Sequence, residues 1–421
     1  MCAVSTPAPH DHAHCGPLDL PEREARRVQR VLAAIVVPLV VATVIGMAVL
    51  WPGRSSLIGS QPFASQGASL ATAEVTSLDV SACADAASSL TAGTGSTTDA
   101  SLLEDAVCAR IASGEGKGLV LPVHVPSESL PAADVGDRLR VMYTPDALVS
   151  GTPYVFVDYD RQVPLIALGL VYLVLVLAVA GRRGLRAVLG LLLATGVLVG
   201  FILPALLALA QPMWVTLVGA SAMMLLAVYT AHGISVRTTT ALLGTLVGVA
   251  VTVLLALWGV GAANLTGGVG EDALTLSSLV KGLDLRALLT CGMVIAGLGV
   301  LNDVTITQAS AVWELHAANP GLGRRRLLAG GMRIGRDHIA STVYTLAFAY
   351  AGTALPLILS ASLIDRPAAD TLMSGEIAEE LVRTLVSSIG LVLAVPATTA
   401  IAVLLVSAAS RAGASRSSAS R

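Results

Sequence analysis

Long apolar runs alternate with short charged connectors along most of this chain, and that alternation predicts its architecture. Eight runs stand out: Val31–Leu50, Val163–Gly181, Leu185–Ala210, Pro212–Ala231, Thr238–Ala263, Arg286–Thr305, His338–Leu359 and Thr384–Ser407. Each is about 20 residues long, which at ~1.5 Å of helix rise per residue crosses a ~30 Å hydrocarbon core. The first is read as a retained helix. Its apolar run is about twice a signal peptide's ~7–15 residue core, and WPGRSS is a poor cleavage site.

A different period rules between the first two runs. Residues Pro52–Ala82 are rich in Ser, Ala, Gly and Thr and read as a loose stalk. Beyond them GLVLPVHVP, DRLRVMYTP and PYVFVDYDR have the Val, Leu and Tyr content of strands, bounded by Pro, Gly and Asp. They predict a small barrel of OB or SH3-like type. The fold class expected is therefore mostly α: a polytopic transmembrane helix bundle with a small β-rich extracytoplasmic domain between spans one and two. In order come a tail (1–30), a first helix (31–50), the outer domain (51–162), a seven-helix bundle (163–410) with a helical loop at 306–337, and a second tail (411–421).

Composition strengthens the membrane assignment. The chain is 54% hydrophobic and 13% charged, half the charge of an ordinary soluble protein. Arginine placement then sets an orientation. Arg23, Arg26, Arg27 and Arg30 precede span one, and Arg182, Arg183 and Arg186 follow span two. Arg237, the group Arg324, Arg325, Arg326, Arg333 and Arg336, and the terminal Arg411, Arg416 and Arg421 fall on that same side. By the positive-inside rule both termini are expected in the cytoplasm. The arginines cluster at span ends, as partners of a lipid bilayer rather than of a nucleic acid.

Candidate chemistry gathers near the inner ends of the spans. In GVLNDVTITQASAVWEL, Asn302, Asp303, Thr305, Thr307 and Gln308 follow directly on an apolar segment. Asp303, Thr307, Ser310 and Glu314 form one helical stripe, expected to face the bundle interior at the inner membrane boundary. Across the next loop, Arg333, Asp337, Ser341 and Thr345 share a face, with His338 beside them. His232 and Arg237 come from a third segment at the same level. Ionisable groups in membrane helices are costly and mark functional cavities, although Arg333 and Asp337, one turn apart, could also simply pair. Gly196-xxx-Gly200 and Gly244-xxx-Gly248 are close-approach patterns.

Other chemistry is sparser. Cys83 and Cys108 are the two cysteines of the outer domain, where an oxidising space favours a disulfide. His10, His12 and His14 alternate in the tail as weak metal candidates. No P-loop, HExxH or GxSxG motif is present, so no cofactor and no enzymatic activity is expected.

Several stretches resemble the YibE/F family of bacterial multi-pass membrane proteins. VLNDVTITQASAVWEL, GRDHIAST, AYAG.ALPL and HG.S.RTTTALLG occur in order, with DYDR before span two and GLRAVLGLLLA after it. The likeness covers about residues 140–362. The resemblance implies a plasma-membrane location and two successive acids where this chain has Asn302-Asp303. It implies no activity. From the residues, the leading expectation is a transporter or permease for a small solute or ion, with Asp and His able to relay protons. The alternatives are a scaffold or accessory subunit that binds an envelope partner, and an intramembrane enzyme built on Asp303 and Asp337.

Overall fold

A computed structural model describes residues 22–53, 57–60, 62–63, 67–83, 105–144 and 153–417. The chain divides into two compact units, residues 59–179 and residues 1–58 with 180–421.

The smaller unit is built on a five-stranded antiparallel sheet. Its strands are β1 (Ser69–Ser77), β2 (Ala106–Ser113), β3 (Val120–His124), β4 (Arg138–Tyr143) and β5 (Tyr154–Tyr159), in the order β3-β2-β1-β4-β5. The central strand β1 lies in the stretch that composition reads as a stalk. Its buried positions are the small residues Ala71, Ala73 and Val75, alternating with Leu70, Thr72 and Glu74 toward solvent. A strand in the middle of a tight sheet carries small residues, and small residues read as linker.

The sheet is curled. Side chains from all five strands, among them Ala73, Val107, Val123, Leu139 and Tyr154, enter one core cluster. The outer strands β3 and β5 approach each other, and two β5 hydroxyls span the gap between the edges. Tyr154 donates to the Glu115 carbonyl in the β2–β3 turn at 2.6 Å, and Tyr159 donates to the Ser129 carbonyl beyond β3 at 2.9 Å. Curling lets one short sheet enclose a core without a second layer.

The larger unit is helical: α1 (Glu22–Val49), α2 (Gln162–Val197), α3 (Pro212–His232), α4 (Val236–Ala262), α5 (Glu271–Leu279), α6 (Leu285–Ala318), α7 (Arg324–Thr353), α8 (Leu355–Ser362) and α9 (Gly375–Ser417). The first residues of α2 belong to the sheet unit. Among the described residues six helices are long and apolar enough to cross a membrane, or seven when the bent pair α7 and α8 counts as one span. The expected second and third spans fall on one 46-residue helical stretch, Gln162–Leu207. It breaks at Gly181, which takes φ 54° and ψ −136°, and passes through a π-helical segment at Leu198–Ile202.

The expected loop 306–337 is mostly helix. α6 runs on to Ala318 and α7 starts at Arg324, leaving only residues 319–323 between them. The seventh apolar run is not one straight helix, because α7 bends by 62° into α8 at Ala354. Pro356 stands at the start of α8, where its missing N–H leaves no bond to lose.

Three helices form the centre. α4, α6 and α9 pack against one another along much of their length, and α3 and α7 lean on them. Glycines set the spacing. A Cβ on Gly248 would lie 2.8 Å from Leu301 and 3.0 Å from Ala394, and one on Gly244 would collide with the Thr398 side chain. Gly196 and Gly200 face open space, so of the two small-residue patterns only the one in α4 is a packing contact.

Candidate functional site

The three central helices bury a run of polar side chains inside an otherwise apolar interface. Thr245 of α4 and Thr305 of α6 meet hydroxyl to hydroxyl at 2.6 Å, both fully buried. One turn further along α6, Gln308 is 1% exposed. Its amide nitrogen donates to the Thr399 hydroxyl of α9 at 2.7 Å and to the Gly331 carbonyl of α7 at 2.8 Å. A single side chain thus ties three helices.

The sequence arranges this locally in two ways. Thr245 and Thr399 each donate back to the carbonyl four residues earlier, Ala241 and Val395, so each hydroxyl is oriented and keeps its acceptor side free. Glycine brings α7 close enough to lend its backbone. A Cβ on Gly331 would lie 2.9 Å from Thr399 and from Val312, and one on Gly335 would lie 2.5 Å from Val395.

Unpaired polar atoms continue the line along α6. Among the described residues Asn302 Oδ1, Trp313 Nε1 and His316 Nδ1 are buried without a hydrogen-bond partner. A buried polar atom is costly unless something satisfies it.

The stripe of Asp303, Thr307, Ser310 and Glu314 exists, but its direction differs from expectation. Asp303 and Glu314 are exposed and Thr307 and Ser310 half-buried, while the packed face of α6 carries Leu301, Thr305, Gln308 and Val312. The stripe follows helix periodicity correctly and lies outside the packed face, with only its last member, Glu314, reaching the start of α4. On α7, Gly331 and Gly335 face the bundle. Arg333, Asp337 and Ser341 are exposed, and His338 is half-buried. Asp337 lies about 200° around the helix from Gly335 at ~100° per residue, so it points away from α6. No ion pair or hydrogen bond joins Asp303, Asp337 and His338 among the described residues.

Two of the three polar segments do meet. Arg237 at the start of α4 approaches Glu314 on α6 at 3.5 Å. His232, at the end of α3, is exposed. At the other end of the same helix pair Arg286 donates to the Val260 carbonyl at 3.2 Å. Arg286 and Glu314 are separated by about 42 Å of α6, close to the ~40–45 Å of a bilayer with its headgroups.

A cavity of about 260 Å³ lies elsewhere, beside Leu357, Ser360, Arg366 and Glu376 where α8 meets the start of α9. It contains none of the residues singled out from sequence. The histidines His10, His12 and His14 lie outside the described residues. Within the described residues no group of three or more His, Cys, Asp or Glu is placed to hold a metal ion. Of the sequence candidates, Gln308 and Asn302 belong to the buried seam. Thr305 stood in the polar cluster already; Thr245, directly after RTTTALLG, and Thr399, in PATTA, were missed because single hydroxyls inside apolar runs carry little signal.

A family model described as YibE/F-like protein matches residues 168–408, more than half of the chain. The chain belongs to this family. No curated protein and no solved structure matches it.

Proposed function

We propose that this YibE/F-like protein is a permease that moves a small solute or ion through the bundle of α4, α6 and α9. The observation that carries the reading is Gln308, buried inside the apolar helix bundle and bonded to two other helices. Its neighbours Thr245, Thr305 and Thr399 supply hydroxyls, and Asn302, Trp313 and His316 supply buried polar atoms in need of partners. Such groups can replace part of a solute's hydration shell, which an apolar interface cannot do.

Movable elements accompany the seam. α7 breaks by 62° into α8, Pro396 interrupts the bonding of α9 close to Thr399, and α2 is irregular at Gly181 and at 198–202. Broken helices beside a midplane polar site are the parts from which alternating access is built. Asp303, exposed on α6 beside the seam, is the carboxylate this reading assigns to coupling with an ion gradient.

The test is flux. Purified full-length protein in liposomes that entrap a pH-sensitive dye should relax an imposed proton gradient faster than protein-free liposomes, and Gln308→Leu should remove the excess. Equal relaxation with and without protein overturns proton-coupled transport.

A second reading is favoured by one feature of the sheet unit. Leu70, Leu78, Leu119 and Val135 are exposed on it, outside any membrane helix. In that reading the unit docks an envelope protein and the bundle serves as its anchor. A partner that co-purifies in fixed ratio, and is lost with Leu119→Glu and Val135→Glu, distinguishes it from the permease.

A further inference from the structure

We infer that Cys83 and Cys108 form a disulfide made while the sheet unit folds and sealed once it has folded. The inference stands on the backbone. In the β1–β2 ladder Ser77 pairs with Cys108, and the chain leaving β1 turns at once into a short 3-10 helix, Val80–Cys83. That turn packs back against β2, so Cys83 returns to the strand it has just left. Thr76 fastens the return by donating to the Cys108 carbonyl at 3.1 Å. Both cysteines are reduced in this structure and both are buried, Cys83 4% and Cys108 0% exposed. The Cys108 thiol neighbours that of Cys83, which donates to the Val80 carbonyl at 3.3 Å.

Burial decides when the bond can form. Burial first, then the neighbouring Cys108 thiol, push the Cys83 thiol up to about 12. The attacking species in disulfide exchange is the thiolate, so two buried, protonated thiols are nearly inert in the finished fold. Before β2 seats against the turn they are ordinary exposed thiols. One thiolate then attacks the disulfide of an oxidant, a protein or small-molecule disulfide, and a mixed disulfide forms with loss of one thiol. The second cysteine displaces the other thiol. Two electrons and two protons leave the chain, and the oxidant is reduced to two thiols. The product closes the loop of residues 84–107 and staples the turn after the central strand to its neighbour.

This goes beyond the transport reading and is independent of it. It also fixes the compartment, because an oxidising space must hold the sheet unit as it folds. The experiment uses full-length protein purified after quenching with acid. It is denatured without reductant, treated with a maleimide, and digested for mass spectrometry. The expected result is one linked peptide pair carrying Cys83 and Cys108, lighter than the two thiols by two hydrogens, with Cys291 labelled. In the folded protein the link should resist dithiothreitol that reduces it fully in denaturant. Cys83→Ser should leave Cys108 free to label after denaturation. Full maleimide labelling of both cysteines in the unreduced, denatured protein overturns the inference. A link that dithiothreitol cuts equally fast in the folded state overturns its sealing.

Discussion

Gln308 of α6 donates a 2.7 Å hydrogen bond to the Thr399 hydroxyl of α9, next to a Gly331 carbonyl that it also holds. Interhelical hydrogen bonds in membrane proteins contribute on average about 0.6 and at most about 1.7 kcal/mol. A double-mutant cycle on Gln308→Leu and Thr399→Val should therefore show a coupling within that range by thermal unfolding in detergent. A coupling near zero would mean that the two side chains are adjacent without stabilising each other.

The glycines of α7 should be unequal to those of the exposed face of α6. Gly335→Ala forces a Cβ to 2.5 Å from Val395 and 3.0 Å from Gln308 Oε1, whereas Gly299→Ala meets nothing within 4 Å. Overpacking costs about 1–3 kcal/mol, while alanine in an open helical position is favoured over glycine by about 1 kcal/mol. Gly335→Ala should lower the melting temperature and Gly299→Ala should hold or raise it. The same sign of shift for both would contradict the packing.

Alkaline pH should separate the reduced from the oxidised sheet unit. In the reduced protein the Cys83 thiol is held up to about 12 from an ordinary 9.0, and Tyr154 is raised above 10.0 by burial. A group whose folded value is raised gives stability that is complete below its unfolded value and lost as pH rises from there through the folded one. The reduced unit should lose protection between about pH 9 and 12, read by hydrogen exchange over 106–113. The oxidised unit lacks the thiol and should keep its protection until Tyr154 begins to matter, above pH 10. Identical curves would show that Cys83 does not titrate in the reduced fold.

The orientation drawn from the arginines has its own test. Gly321 sits in the exposed turn between α6 and α7, next to Arg324, Arg325 and Arg326. A Gly321→Cys variant should resist an impermeant thiol reagent in intact cells and react after lysis. Labelling in intact cells would invert the topology.

Most of the long helices were legible in the sequence because each contains an apolar run of about 20 residues, whereas the first half of α7, with Arg324, Arg325, Arg326, Arg333 and Arg336, carries no such run. β1 was hidden by its alanines, since a strand crowded on both sides carries the residues a linker also carries. The polar stripe at Asp303 was read in the right phase and given the wrong direction. Periodicity says which residues share a face, and only packing says where that face points. The seam escaped because a threonine bonded to the carbonyl four residues back looks neutral in an apolar run. Its partner, Thr305 for Thr245, is 60 residues away in the chain.

The measurement that bears most directly on the proposed path is water access to Thr305. Its side chain has no exposure in this structure, so labelling there reports an opening of the seam. A Thr305→Cys variant, reconstituted in liposomes, is treated with a small water-soluble methanethiosulfonate and compared with two references. Gly321→Cys marks an open position and Cys291, 1% exposed, a closed one. The account predicts reaction at 305 at least about tenfold faster than at Cys291, a difference of about 1.4 kcal/mol in barrier. Labelling at 305 as slow as at Cys291, with Gly321→Cys reacting freely, would mean a dry seam that only holds the helices together, and the permease reading would fall.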